Sequence, residues 1–231
     1  MNYLFKTSIL CLMLVAFTSS MLQAQKKGKL TEQEKENLKT AKVLMVHYEA
    51  PPMYIMTPKD AAGTGLISDL TKSDDADPLK KHSYNPSQRV HKNMAQLFKN
   101  EGLVTDLEVQ DTPFPYSSNS ELKDMSKYEG VDAAYIIEVI VPLMGWKATY
   151  APIKWRTYHL NLALEVRIIR TSDFARIWKG NVGYGGLVDK EMRFHINDID
   201  ENSKTMISEK LDVMAFESSK RAMEKYKKTS K

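Results

Sequence analysis

The residues of this sequence best equipped for chemistry are five histidines, one isolated carboxylate and a cluster of aromatic rings. His47, His82, His91, His159 and His195 could bind a metal or carry a proton. No two stand at a spacing that puts both on one helix face with a third ligand close by, so no zinc motif is supported. His47 and His159 fall on predicted strands and could meet across a sheet, where isolated histidines are more often structural. Asp198-Ile199-Asp200-Glu201 is acidic enough to suggest calcium, but it lacks the glycine and terminal glutamate of an EF-hand loop. Acidic residues ahead of a helix are expected from the helix dipole alone. Gly63-Thr64-Gly65 is not followed by the pattern of a phosphate loop, no G-x-G-x-x-G opens a helix, and no G-x-S-x-G elbow occurs. The sequence thus offers no catalytic, metal-ligating or cofactor-binding set, and no cofactor is expected.

Glu138 and the aromatic cluster call for separate treatment. Glu138 interrupts the apolar run Ala133 to Val141. Paired with an arginine it is structural; alone in a cleft its carboxyl would be pushed up by burial. Pairing is the expectation. Trp146, Tyr150 and Trp155 lie in LMGWKATYAPIKW, where strand patterning lapses. Two readings stand side by side. Large aromatics dominate cores, and they also dominate protein interfaces when a connection presents them. As candidate partner-binding residues, Trp146, Tyr150 and Trp155 are the ones to follow.

The elements that would position these residues are strands. Tyr158, Leu160, Leu162, Leu164, Val166 and Ile168 alternate with His159, Asn161, Glu165 and Arg167. Successive strand side chains point to opposite faces, so one face is predicted buried and the other wetter. Thr171-Ser172-Asp173 breaks the pattern and Phe174 to Val182 resumes it, which predicts a hairpin. Ala133 to Val141 is apolar on both faces, as in an interior strand. Earlier, Lys42 to Glu49 is a strand ended by Pro51 and Pro52. A helix opens at Asn85-Pro86, carries Val90, Met94, Leu97 and Phe98 on one face and stops at Gly102. Leu103 to Val109 reads as a strand. Ser118 and Glu121 cap a short helix that Gly130 ends. A last helix follows Asn202 with Met206 or Ile207, Leu211, Met214 or Ala215, Ala222 and Tyr226 inward. The predicted fold class is α/β (α+β): a single mixed sheet in the order β-α-β-α-β-β-β-α, with helices packed on it. Residues 57–88 form a long irregular segment rich in turn residues.

The start of the chain predicts export. A short basic start at Lys6, an apolar run from Thr7 to Phe17 and the small-residue site Leu22-Gln23-Ala24 form a signal peptide over 1–24. Residues 25–41 read as a flexible lead-in, with a capping box at Thr31 and Glu34, ahead of a single domain over 42–231. Cys11 precedes most of the apolar run and follows Leu10, which disfavours a lipid-attachment site. Cleavage near Ala24 removes this one cysteine, and with it thiolate chemistry and disulfides. No transmembrane segment is expected after cleavage. A net charge of +4 within 27% charged residues leaves no nucleic-acid footprint. The basic concentration at Lys220, Arg221, Lys225, Lys227, Lys228 and Lys231 suits a solvated helix end, with an anionic surface as the other reading.

The chain resembles a group of bacterial envelope proteins. It includes the lipoprotein activators of penicillin-binding proteins, the periplasmic domain of the curli-secretion lipoprotein and the N-terminal domain of TolB. The phrases that carry the resemblance are Gly130 to Ile137 (GVDAAYII), Leu160 to Val166 (LNLALEV) and Ile177 to Gly180 (IWKG). It spans about Lys42 to Val182. It implies a small α/β envelope domain that binds other proteins and is not an enzyme. The expected function is therefore a non-catalytic exported protein, periplasmic or secreted, acting as an accessory or assembly factor. A lipid- or small-ligand-binding module is the second reading, and a hydrolase without a recognisable signature the third.

Overall fold

The computed structural model describes residues 30–56, 85–116, 124–143, 145–151, 157–195, 198 and 204–229. Its spine is one long strand. The alternating run folds as β6 (Thr157–Arg170), and all six even positions from Tyr158 to Ile168 are buried on one face. The hairpin also forms. β6 turns at Thr171–Phe174 into β7 (Ala175–Gly185), with Phe174 at φ 51°. Arg170 braces the turn by donating to both Asp173 oxygens at 3.0 and 2.7 Å.

Two groups of strands pair with the other edge of β6. Toward its C-terminal end lies β4 (Tyr135–Ile140), antiparallel, with Glu138 opposite Arg167. Next to β4 comes β1 (Lys42–His47), then β3 (Asp106–Val109), both parallel. Toward the N-terminal end of β6 lies β5 (Trp146–Tyr150), which carries the short parallel strand β2 (Tyr54–Met56). β7 and β8 (Arg193–His195) share the opposite edge of β6. Together these make one mixed sheet of eight strands.

Among the described residues three helices complete the α+β architecture: α1 (Glu32–Thr40), α2 (Pro86–Asn100) and α3 (Lys204–Lys228). The Thr31/Glu34 capping box opens α1 and Asn85 caps α2, both as the sequence predicts. α2 and α3 pack on each other and on the face that carries the even residues of β6. Val90, Met94 and Phe98 of α2 and Ile207, Leu211, Met214 and Ala222 of α3 are buried in that core. On the opposite face, Phe114, Met125 and Tyr128 from the loop before β4 pack with Leu44, Val46, Ile136 and Ile169.

Several expectations shift. The strand predicted from Leu103 begins at Asp106. Of the helix predicted after Ser118, residues 117–123 lie outside the described residues, and Ser126–Tyr128 forms a single 3-10 turn. The signal peptide, residues 25–29 of the lead-in, residues 57–84 (His82 among them), Trp155 and Asn202 also lie outside. The hairpin strand predicted to Val182 runs on through Gly183 and Gly185, which pair with Ala163 and Asn161. At Gly185 a Cβ would sit 2.3 Å from the Leu160 carbonyl oxygen, and its φ is +155°, so only glycine fits. The face of β6 predicted to be wetter is so only toward its start, since Glu165 and Arg167 are buried.

Candidate functional site

The aromatic cluster is core wherever the structure describes it. Trp146 pairs with Leu162 and is 1% exposed; Tyr150 pairs with Tyr158 and is 8% exposed. Tyr150 meets Tyr158 edge-on at 5.6 Å, and Tyr158 stacks on Phe194 at 5.9 Å. The expectation that Trp146 and Tyr150 sit in a surface connection and face a partner is therefore corrected. The signal was present: Trp146, Ala148 and Tyr150 alternate with Lys147 and Thr149, a strand period hidden by the short run.

Glu138 lies fully buried on the face away from α2 and α3, at the centre of a polar network. Tyr48 and Tyr128 donate to its Oε1 at 2.6 and 2.7 Å. Lys127 Nζ lies 3.4 Å from the same oxygen, and Arg167 Nη1 lies 3.4 Å from Oε2. Arg167 also binds Glu165, which Lys179 reaches at 2.8 Å. Burial, and then the Glu138 carboxylate, pushes both tyrosine hydroxyls well above their usual range. Burial also lowers the Lys127 ammonium, against the pull of Glu138. Burial works to raise the Glu165 carboxyl, but Lys179 and Arg167 together outweigh it and hold it low. Each charge here answers another, and the pairs tie β4, β6 and β7 together. The arginine pairing expected for Glu138 is present. Tyr48, Lys127 and Tyr128 are partners that sequence reasoning missed, because they come from separate segments with no common spacing.

The histidines meet in an unexpected pair. His47, at the end of β1, stacks on His91 of α2 with centroids 4.1 Å apart, and both are buried. His159 instead pairs with Thr149 and Arg193, so the proposed meeting with His47 does not occur. His91 Nε2 lies 3.3 Å from the Met45 carbonyl oxygen, while His47 Nδ1 has no hydrogen-bond partner among the described residues. Burial, and then the neighbouring His91, pushes His47 down to about 4. Burial lowers His91 as well. The folded protein thus prefers neutral rings, and the unfolded chain binds more protons as pH falls from the ordinary 6.5 toward 4. Stability should fall across that window, by ~3 kcal/mol from His47 alone. Urea unfolding at pH 7.5 and pH 4 checks it, with His47→Phe expected to lose much of the difference. An identical pH dependence in both proteins would sink this account.

Small residues open a groove on the face that carries Glu138. Gly145, just ahead of β5, stands in a row with Ala163 of β6 and Gly183 of β7: Ala163 pairs with Gly183 and donates to the Gly145 carbonyl at 2.6 Å. The adjacent row is Lys147, Asn161 and Gly185. Leu187 and Val188, in the turn after β7, rim the groove at 77% and 61% exposure. Its volume is about 290 Å³ and it is open to solvent. Asp189, beside this rim, is engaged by Tyr184 Oη at 2.5 Å and by the Glu191 amide. Lys147 carries no ion pair among the described residues. The basic C-terminal helix turns inward instead: Arg221 donates to the Gly183 carbonyl, Lys225 to that of Asn181, and Lys227 pairs with Glu101 at 2.7 Å. Among the described residues, no helix is long and apolar enough to cross a membrane.

The architecture is that of an α+β domain with one sheet face under helices and the other partly open. No protein-family model matches the chain, and no curated protein matches it in sequence. Among solved structures it is similar to a PelC dodecamer subunit from Paraburkholderia phytofirmans, at 10% identity and TM-score 0.36, covering 84% of this chain and 92% of that one. It is similar to the lipoprotein GNA1162 from Neisseria meningitidis, at 12% and 0.26, covering 73% and 93%. The LpoB C-terminal domain from Salmonella enterica matches at 16% and 0.18, covering 72% and 90%. These are structures of the bacterial envelope lipoprotein-like group that the sequence resembles. At such scores no residue and no role is carried over from them.

Proposed function

We propose that this chain is an exported, non-catalytic protein of the bacterial envelope that works by docking protein on the open face of its sheet. One observation carries the reading. The charges around Glu138 and Glu165 answer one another, while the glycine-floored groove beside them keeps an exposed aliphatic rim at Leu187 and Val188. Aliphatic side chains left in water beside a shallow apolar floor favour contact with another surface. The leader-like start of the sequence supports export. A lipid carrier would be served better by an enclosed cavity than by this open groove.

The test is site-specific photo-crosslinking in the native cell. A crosslinking residue at Val188 is expected to give discrete protein adducts, and one at the exposed Glu36 of α1 is not. Equal labelling at both positions, or none at Val188, would refute the docking surface.

A further inference from the structure

The groove asks for an occupant with apolar side chains and a carboxylate. Its rim is aliphatic, and its free charge is the Lys147 ammonium, since nearby Glu165 and Asp189 are each already engaged. This chain exposes such a surface elsewhere. On α3, Glu209, Val213 and Phe216 follow the i, i+4, i+7 spacing of one helix face. All three point away from the core, and Val213 and Phe216 are 44% and 49% exposed. We infer that the groove seats the α3 face of a second copy, with Phe216 and Val213 against Leu187 and Val188 and Glu209 toward Lys147. This rests on the reading of the open face as a docking surface.

Other pairings of two copies fit less well. Groove on groove would set Lys147 against Lys147, like charge against like. Strand addition at β7 meets carbonyls already taken, at Gly183 by Arg221 and at Asn181 by Lys225, both at 3.0 Å. Helix on helix would leave the groove and its rim in water. Groove on helix covers both apolar patches and matches their charge. It joins two different surfaces, so it is heterologous and can extend beyond a pair.

Sedimentation of the exported chain tests the proposal up to about 1 mM, a range suited to a small interface. The wild type should gain mass with concentration. Gly183→Val puts a side chain into the groove, and its Cβ meets only the Leu162 carbonyl oxygen, at 3.7 Å, an ordinary contact. Phe216→Glu spoils the helix face at an exposed site. Each variant alone should associate roughly 30-fold more weakly, as for loss of a hot-spot side chain. Mixed, they should form dimers and stop there, because the groove of one and the helix of the other are intact. Lys147→Glu should weaken association, and Glu209→Lys in the same chain should restore it.

A wild type that stays monomeric, a folded mixture that fails to pair, or Gly183→Val associating like wild type would overturn the inference. Loss in Phe216→Glu alone would identify a helix-to-helix dimer instead. The crosslink at Val188 separates this from the broader reading. An adduct of two copies supports the inference; an adduct with a different protein overturns it and leaves the docking surface standing.

Discussion

Replacing Glu138 by glutamine is expected to cost ~3–5 kcal/mol of folding stability, the usual cost of breaking a buried ion pair from one side. Glutamine keeps the shape but removes the charge that Arg167 and Lys127 face at 3.4 Å. Two tyrosine hydroxyls would also lose their charged acceptor, and such bonds are the stronger ones. Urea unfolding at neutral pH measures it. Glu138→Leu combined with Arg167→Met should recover much of the loss, because the pair then disappears together with its desolvation cost. A loss below ~1 kcal/mol in Glu138→Gln would show that the network does not hold the strands.

Trp146→Ala is expected to cost ~3–5 kcal/mol as well, by leaving a cavity between β5 and the core. Tyr54→Ala, at a partly exposed edge of the same sheet, is the matched control and should change stability far less. Thermal and denaturant unfolding of both variants decide the matter. If Trp146→Ala melts like wild type and loses only partner contacts, the indole belongs to an interface and the core assignment falls.

The sheet was legible where its pattern ran long enough. Fourteen residues of β6 show the period of two repeatedly, and β1 and β4 show continuous apolar runs. Five residues in β5 and three in β2 and β8 show it barely at all, and glycines and prolines nearby suggested loops instead. At Gly183 and Gly185 what the sheet uses is the missing side chain, which no local spacing announces. The polar network was half legible. A lone glutamate in an apolar strand announces a buried partner, but Tyr48, Lys127 and Arg167 are brought to it by the fold. The groove had no sequence signal, since its floor is defined by what three separate strands lack. The His47–His91 stack joins a strand end to a helix 44 positions later, a distance that no local spacing reports.

β6 is flanked on both edges along most of its length, by β5 and β8 at its start and by β4 and β7 toward its end. Neither half of the sheet can peel away without stripping the strand that the other half also holds. Partial opening should therefore be confined to short outer strands such as β2 and β3. The amides of residues 165–169 should exchange with solvent only when the whole molecule unfolds. A protease that samples open states would then find cleavable chain at the rim and none along the spine.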